Sequence, residues 1–281
     1  MKSFRNKVAA ITGAGSGIGR SLALQLARDG AALALSDVNA EGLAETVALF
    51  REEGVTVTEA IVDVAQRQQV YDWAAATVAA HGKVNLVFNN AGVALGAPIS
   101  SMAEDDLKWI MDINFWGVVY GTQAFLPHLK ASGEGHVINI SSVFGIAAIP
   151  SQSAYNASKF AVRGFTEALR QELEIEGAPV SATTVHPGGI KTNIARSARF
   201  SAQMKDFLGV DEAAGKSSFE RLFITTADKA AAVILSGVKA NRRRVLIGPD
   251  ARAIDFMVRL MPERYQQVVS FASRQQKRLA R

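Results

Sequence analysis

The sequence predicts a doubly wound α/β domain: a parallel sheet of about seven strands with helices on both faces. Three observations predict it. Short runs rich in β-branched and apolar residues alternate with longer segments of helical periodicity, as parallel crossovers require. The short runs are apolar almost throughout, the pattern of strands covered on both faces. A glycine-rich stretch, TGAGSGIG, separates the first strand from the first helical segment.

The predicted strands are KVAAIT (7–12), ALALS (32–36), VTEAIV (57–62), VNLVFN (84–89), HVINIS (136–141), VSATTVH (180–186) and RVLIG (244–248). Helices are expected near 17–29, 40–53, 67–80, 104–130, 153–176 and 226–240. No linker or repeat divides the chain, so residues 1–250 are read as one domain and 251–281 as a basic helical extension. A chain of 281 residues is long enough for a full-sized core.

Composition excludes several classes. No apolar run reaches the roughly 18–20 residues of a membrane span. The apolar run after the basic N-terminus ends at Ile11, too short for a signal peptide. There are no cysteines, so disulfides, zinc–thiolate sites and thiol nucleophiles are out, and a cytoplasmic location fits. The four histidines (81, 128, 136, 186) show no ligand spacing, and no metal is expected.

The net charge of +5 is unevenly spread. Residues 242–281 hold ten Lys/Arg and three Asp/Glu, while the first 241 residues balance at −2. No nucleic-acid motif accompanies the basic tail. It has Tyr265, Val268, Val269, Ala272 and Leu279 at helical spacing. An amphipathic helix docked on the body or on a neighbouring subunit is expected, with peripheral membrane contact as the alternative. Residues 193–225 stand outside the alternation and carry Phe200, Met204, Phe207 and Leu208. They read either as a lid over a cleft or as a packed surface helix.

Gly13, Gly17 and Gly19 allow a tight turn and close backbone approach to a pyrophosphate, beside the free N–H groups of the next helix. The spacing is G-x-x-x-G-x-G, not the strict G-x-G-x-x-G, so position between strand and helix carries the reading. The fold is therefore Rossmann-type. Asp37 closes the second strand, 18 residues past Gly19, where an acid holds a ribose 2′-hydroxyl and repels a 2′-phosphate. NAD is favoured over NADP. Position 16 is Ser, and no Arg or Lys follows Asp37 before Arg51, which agrees.

Tyr155 and Lys159 stand four residues apart, on one face of a predicted helix. Further strings line up around them: VDV (62–64), NNAG (89–92), Asn114 in MDINFWG, INISS (138–142), YNASK (155–159) and HPGGIKT (186–192). With TGAGSGIG, this set in this order resembles the short-chain dehydrogenase/reductase family. The match spans roughly residues 5–195 and follows the family's topology to about residue 248.

The resemblance implies a catalytic tetrad of Asn114, Ser142, Tyr155 and Lys159. Tyr155 is then the general acid/base, and Lys159 lowers its pKa and holds the nicotinamide ribose. Ser142 holds the substrate oxygen, and Asn114 anchors a water for proton relay. It further implies cofactor contacts from Gly13, Ser16, Gly17, Ile18 and Gly19 in the loop. Asp63 and Val64 line the adenine; Asn90, Ala91 and Gly92 run beside the ribose. Pro187 and Gly188 pack on the nicotinamide, with Ile190 and Thr192 on its carboxamide. A homotetramer or homodimer is implied, built through the helices near 104–130 and 153–176, with Ala157, Ser158 and Ala161 small enough for close contact.

The expected reaction is reversible hydride transfer between a secondary alcohol and a ketone. The stretch after Ser142, with Phe144 and Ile149, is apolar, and Phe200, Met204, Val93, Ala94 and Leu95 are candidate walls. An apolar wall penalises charged substrates, so a steroid-like or lipid-like substrate is expected. A small hydroxyketone or diol, an acyl thioester and a catalytically vestigial NAD-binding sensor remain alternatives.

Overall fold

The computed structural model describes residues 1–50, 54–194, 197–209 and 223–279. Seven strands form the main sheet: β1 (Val8–Thr12), β2 (Ala32–Asp37), β3 (Val57–Ile61), β4 (Leu86–Asn89), β6 (Gly135–Ile140), β7 (Val180–Pro187) and β11 (Arg244–Ile247). Their order is β11-β7-β6-β4-β1-β2-β3, and every pair is parallel. The order reverses between β1 and β4, which opens a crevice at the strands' C-terminal ends.

Side chains alternate across the sheet, so each strand feeds two cores. Along β1, Ala9 and Ile11 join one core, while Ala10 joins the other. The first core packs α1 (Gly17–Arg28) and α8 (Ala227–Lys239) through Leu22, Leu26 and Ile234. The second packs α3 (Arg67–His81), α5 (Gly117–Ala131) and α6 (Ser153–Ile175) through Val70, Trp73, Phe125 and Leu169. Trp73 and Phe125 meet edge to face at 5.0 Å, a geometry that adds about 0.5–1.5 kcal/mol to their area burial.

Most strand and helix bounds fall within two residues of the expected ones. The helix expected over 40–53 is shorter: α2 (Ala40–Ala48) is capped by Asn39, which accepts from Gly42 N at 3.2 Å, and 51–53 lie outside the described residues. The long helix over 104–130 is broken. α4 (Glu104–Met111) passes through a π turn, Asp112–Trp116, into α5.

Among its described residues the expected lid region, 193–225, holds two short elements, β9 (Arg199–Phe200) and α7 (Met204–Leu208); β8 (Ile190–Lys191) precedes it and β10 (Thr225–Thr226) closes it. β9 pairs with β5 (Leu95–Gly96), and β10 pairs with β8. Residues 195–196 and 210–222 of that region lie outside the described ones, as do the side chains of Leu208 and Leu279.

Beyond β11 come α9 (Pro249–Leu260), which the sequence reading had not separated, and α10 (Tyr265–Leu279). α10 touches the body of its own chain. Tyr265 is buried, its hydroxyl accepts from Ala148 N at 3.2 Å, and Lys277 donates to the Asp206 carbonyl. Val268 and Phe271 on the same helix stay exposed. Among the described residues no helix is long and apolar enough to cross a membrane.

Candidate active site

A cavity of about 530 Å³ opens at the C-terminal ends of the strands, across the reversal of strand order. One end is lined by Gly13, Ser16, Gly17, Ile18, Asp37, Asp63 and Val64. The other is lined by Ser142, Phe144, Tyr155 and Lys159, with Asn90, Ala91 and Gly92 along the floor and Pro187, Gly188, Ile190 and Thr192 opposite. The structure thus gathers residues as distant in sequence as Gly13 and Ile254 around one space.

At the first end a carboxylate ties the glycine loop to the end of β2. Asp37 accepts from Gly15 N at 2.8 Å and from Asn39 N at 2.9 Å. A Cβ at Gly15 would stand 2.9 Å from Asp37 Oδ2. Asp37 therefore positions the loop as well as facing the cavity. Ser16, the N-cap of α1, makes no side-chain cap bond, and the first turn carries no acid. The helix N-terminus is left as an anion site of N–H groups and positive dipole.

Gly19 does not line the cavity. A Cβ there would meet the Gly13 carbonyl at 2.1 Å; the residue lets α1 close against the loop. Asn90 braces the same loop, its Nδ2 donating to the Thr12 and Gly13 carbonyls at 2.9 and 3.1 Å.

At the second end, Tyr155 and Lys159 share one face of α6, and both are buried. Ser142 sits just past β6, its Oγ accepting from Phe144 N at 3.1 Å. Ser141 turns the other way and donates to the Lys159 carbonyl at 2.7 Å, which pins α6 to the strand. Phe144 packs edge to face on Tyr155.

Burial pushes the Tyr155 phenol up to about 12, against a side-chain hydrogen bond with Ser142 that acts the other way. Burial also lowers Lys159 to about 8. In the protein alone, burial and Ser142 are the influences on the phenol. The Lys159 ammonium donates to the Ile140 carbonyl at 3.1 Å and stands 5.6 Å from the centre of the phenol ring.

Asn114 occupies the middle of the π turn and is fully buried behind the cavity, not on its wall. It grips Val93 twice, Oδ1 accepting from the N–H at 2.8 Å and Nδ2 donating to the carbonyl at 2.9 Å. A Cβ at Gly92 would lie 3.1 Å from Asn114 Oδ1 and 3.3 Å from Lys159 Nζ. The Gly92 backbone passes close between the two side chains. π turns of this kind recur at functional sites.

Four candidate substrate contacts do not reach the cavity. Phe200 lies against Gly96, where a Cβ would come within 2.7 Å of its ring, because β9 pairs with β5 and turns the ring into a small apolar cluster. Met204 is buried away from the cavity, and Leu95 is buried in that cluster. Ile149 is half-buried, and its carbonyl accepts from Asn156 Nδ2 at 2.9 Å; it serves the start of α6. The apolar wall is instead Val93, Ala94, Val143, Phe144, Ile194, Phe223 and Ile254.

Asp250 and Ile254, from α9, were not foreseen. The signal was present in GPD at 248–250, a glycine then proline that starts a helix directly after the last strand.

Residues 7–202 match the family described as short chain dehydrogenase. A Mycobacterium tuberculosis protein named "Putative oxidoreductase SadH" is 50% identical over 271 residues, covering 96% of this chain and 96% of that one. The Bacillus subtilis protein named "Uncharacterized oxidoreductase YxnA" is 34% identical over 263 residues, 93% of this chain and 71% of its own length. A crystal structure of a short chain dehydrogenase/reductase from Burkholderia phymatum in complex with NAD superposes with a TM-score of 0.84 at 32% identity, covering 95% of this chain and 96% of that one. Levodione reductase superposes at 0.77 with 29% identity over 89% of this chain and 98% of its own. The fold and site define an oxidoreductase with a nucleotide-binding sheet. The chain belongs to the short chain dehydrogenase family, whose members use NAD(P).

Proposed function

We propose that this protein is an NAD-preferring dehydrogenase/reductase that interconverts an uncharged, hydrophobic secondary alcohol and its ketone. The observation that carries the reading is one cavity with Asp37 at one end and Ser142, Tyr155 and Lys159 at the other. Its residues fit a dinucleotide. Gly13 and Gly17 leave a cradle that a side chain would fill: a Cβ at either would fall within 3.0 Å of a neighbour. The α1 N-terminus is open for phosphate, and Asp37 is placed for a ribose diol. Pro187, Gly188, Ile190 and Thr192 would hold the nicotinamide end.

When bound, the cofactor supplies hydride exchange at the reacting carbon. The chain's own groups handle the oxygen and the proton. Ser142 holds the substrate oxygen, and Tyr155 gives or takes the hydroxyl proton. Lys159 holds the cofactor ribose and adds positive charge, and Asn114 fixes Val93 and with it the Gly92 backbone that passes beside Lys159. The wall of Val93, Ala94, Val143, Phe144, Ile194 and Ile254 supports the hydrophobic substrate class.

The same reading has the chain act in the cytoplasm as a homodimer or homotetramer. Exposed Trp116 and Phe160, with the open surface at Gly164, support a helix-to-helix contact on the α5–α6 face. Ser158 takes no part in it: it is fully buried and donates to the Tyr155 carbonyl of its own chain.

The test is turnover of a broad alcohol and ketone panel with NAD and NADP in both directions. Oxidation of apolar secondary alcohols with NAD, lost in Tyr155→Phe, is the expected result. Binding of NADH with no turnover of any panel member would instead make the chain a sensor.

A further inference from the structure

The turn that follows β7 is held from the C-terminal segment. β7 and β11 run side by side, with Pro187 opposite Ile247. Gly188 N donates to the Ile247 carbonyl at 2.9 Å. The next amide, Gly189 N, donates to Asp250 Oδ2 at 2.6 Å, a short bond of the charge-assisted kind. Two successive N–H groups of the turn are thereby fixed, one by backbone and one by a carboxylate on the first turn of α9.

The carboxylate is also a plug. A Cβ at Gly188 would stand 2.1 Å from Asp250 Oδ2, and one at Gly248 would stand 2.3 Å from Oδ1. Both glycines leave the space that Asp250 fills. Gly248 in addition has φ +97, in the region that side chains rarely adopt.

Gly188, Gly189 and Asp250 all line the cavity. They stand at its reaction end, since His186, just before the turn, donates from Nδ1 to the Ser142 carbonyl at 2.9 Å. Anchoring the turn uses one carboxylate oxygen. Oδ1 is buried with no partner among the described residues, an arrangement that costs free energy unless a ligand or charge offsets it.

We propose that Asp250 is a positioning residue for the nicotinamide end of the cofactor, setting the Pro187–Gly189 turn and placing a negative charge beside the ring. This rests on the dinucleotide reading above. The oxidised ring is cationic and the reduced ring neutral, so the carboxylate favours the oxidised form and the oxidative direction. α9 is then part of the active site.

The experiment measures binding of NAD⁺, NADH and ADP-ribose, which lacks the nicotinamide, to the unmodified protein, Asp250→Asn and Asp250→Ala. Asp250→Asn keeps an acceptor for Gly189 and loses the charge. NAD⁺ affinity is expected to fall about tenfold, as for a lost neighbouring charge, with NADH and ADP-ribose nearly unchanged. Asp250→Ala loses the anchor too and is expected to weaken NADH as well, while ADP-ribose holds. Equal losses for ADP-ribose and NAD⁺, or no change in either variant, overturn the proposal. The Asn variant alone decides if the Ala variant does not fold. Failure of the unmodified protein to bind ADP-ribose overturns the dinucleotide reading itself, and the Asp250 assignment with it.

Discussion

Lys159 Nζ stands 5.6 Å from the centre of the Tyr155 ring, and both residues are buried. Burial lowers the lysine from 10.5 to about 8. Between those values the unfolded chain binds a proton that the folded chain has released, so this group makes stability rise with pH there. Below about 8 the buried charge costs its full penalty, on the order of 3–4 kcal/mol. Lys159→Met is expected to abolish turnover and raise Tm at pH 7 by several degrees. It should also remove the gain in stability between pH 8 and 10. A lower Tm at pH 7 would contradict this account, with the lost donor to Ile140 then dominating.

Tyr155 carries the complementary prediction. With the phenol pushed up to about 12, the protonated form prevails at neutral pH, ready to protonate a forming alkoxide. Alcohol oxidation needs the phenolate, whose fraction rises about tenfold per pH unit below the pKa. For the best substrate of the panel, kcat/KM for oxidation should climb steeply from pH 7 to about 8, where Lys159 begins to lose its charge, while reduction stays nearly flat over the same interval. Tyr155→Phe should cut both by roughly 10²–10⁴-fold. Identical pH profiles in the two directions would rule out this protonation scheme.

The parts of the site that were legible in the sequence are those set by local spacing. Tyr155 and Lys159 lie one helical turn apart, and the glycine loop and Asp37 each end a strand. Near-continuous apolar strands made the parallel sheet equally plain. What was not legible depends on contacts between distant segments. Phe200 leaves the cavity because β9 pairs with β5, about 100 residues earlier in the chain. Asp250 enters it because β11 lies beside β7. The π turn breaks no propensity rule, and the Asn114 at its middle grips Val93, 21 residues earlier. Gly19 looked like a cofactor contact, but its lost Cβ makes room for the Gly13 carbonyl.

Asp37 has two jobs that one substitution separates only in part. In the proposed function it holds a ribose hydroxyl pair, and in the structure it accepts from Gly15 N and Asn39 N. Asp37→Ala should therefore weaken NAD⁺ by at least about tenfold, leave NADP⁺ little changed and narrow the gap between them. The lost loop bonds should also lower Tm, since hydrogen bonds to a charged group contribute about 1.5–3 kcal/mol each. Titration calorimetry with both cofactors and a melting curve check the two effects. Equal affinity for NAD⁺ and NADP⁺ in the unmodified protein would defeat the ribose assignment.

Two buried histidines set the acid limit of the fold. His136 is lowered to about 3 and His186 to about 4, burial being the main cause in each. Thr183 Oγ1 donates to the Arg242 carbonyl and so accepts from His136 Nε2 at 2.7 Å. His186 Nδ1 donates to the Ser142 carbonyl, while Nε2 is buried with no partner among the described residues. Protonation would place a charge in a site with nothing to receive it. Below pH 6.5 the unfolded chain takes up protons that the folded chain refuses, so stability falls as pH falls. The window runs from 6.5 to about 4 for His186 and to about 3 for His136. Each group contributes a slope of about 1.4 kcal/mol per pH unit inside its window. Tm should drop steeply between pH 6 and 4.5, and His136→Asn should flatten that drop. Because His186 supports the Ser142 backbone, turnover should fail irreversibly over the same range once the fold opens. A Tm independent of pH from 6.5 to 4.5 would show that these imidazoles accept protons in place.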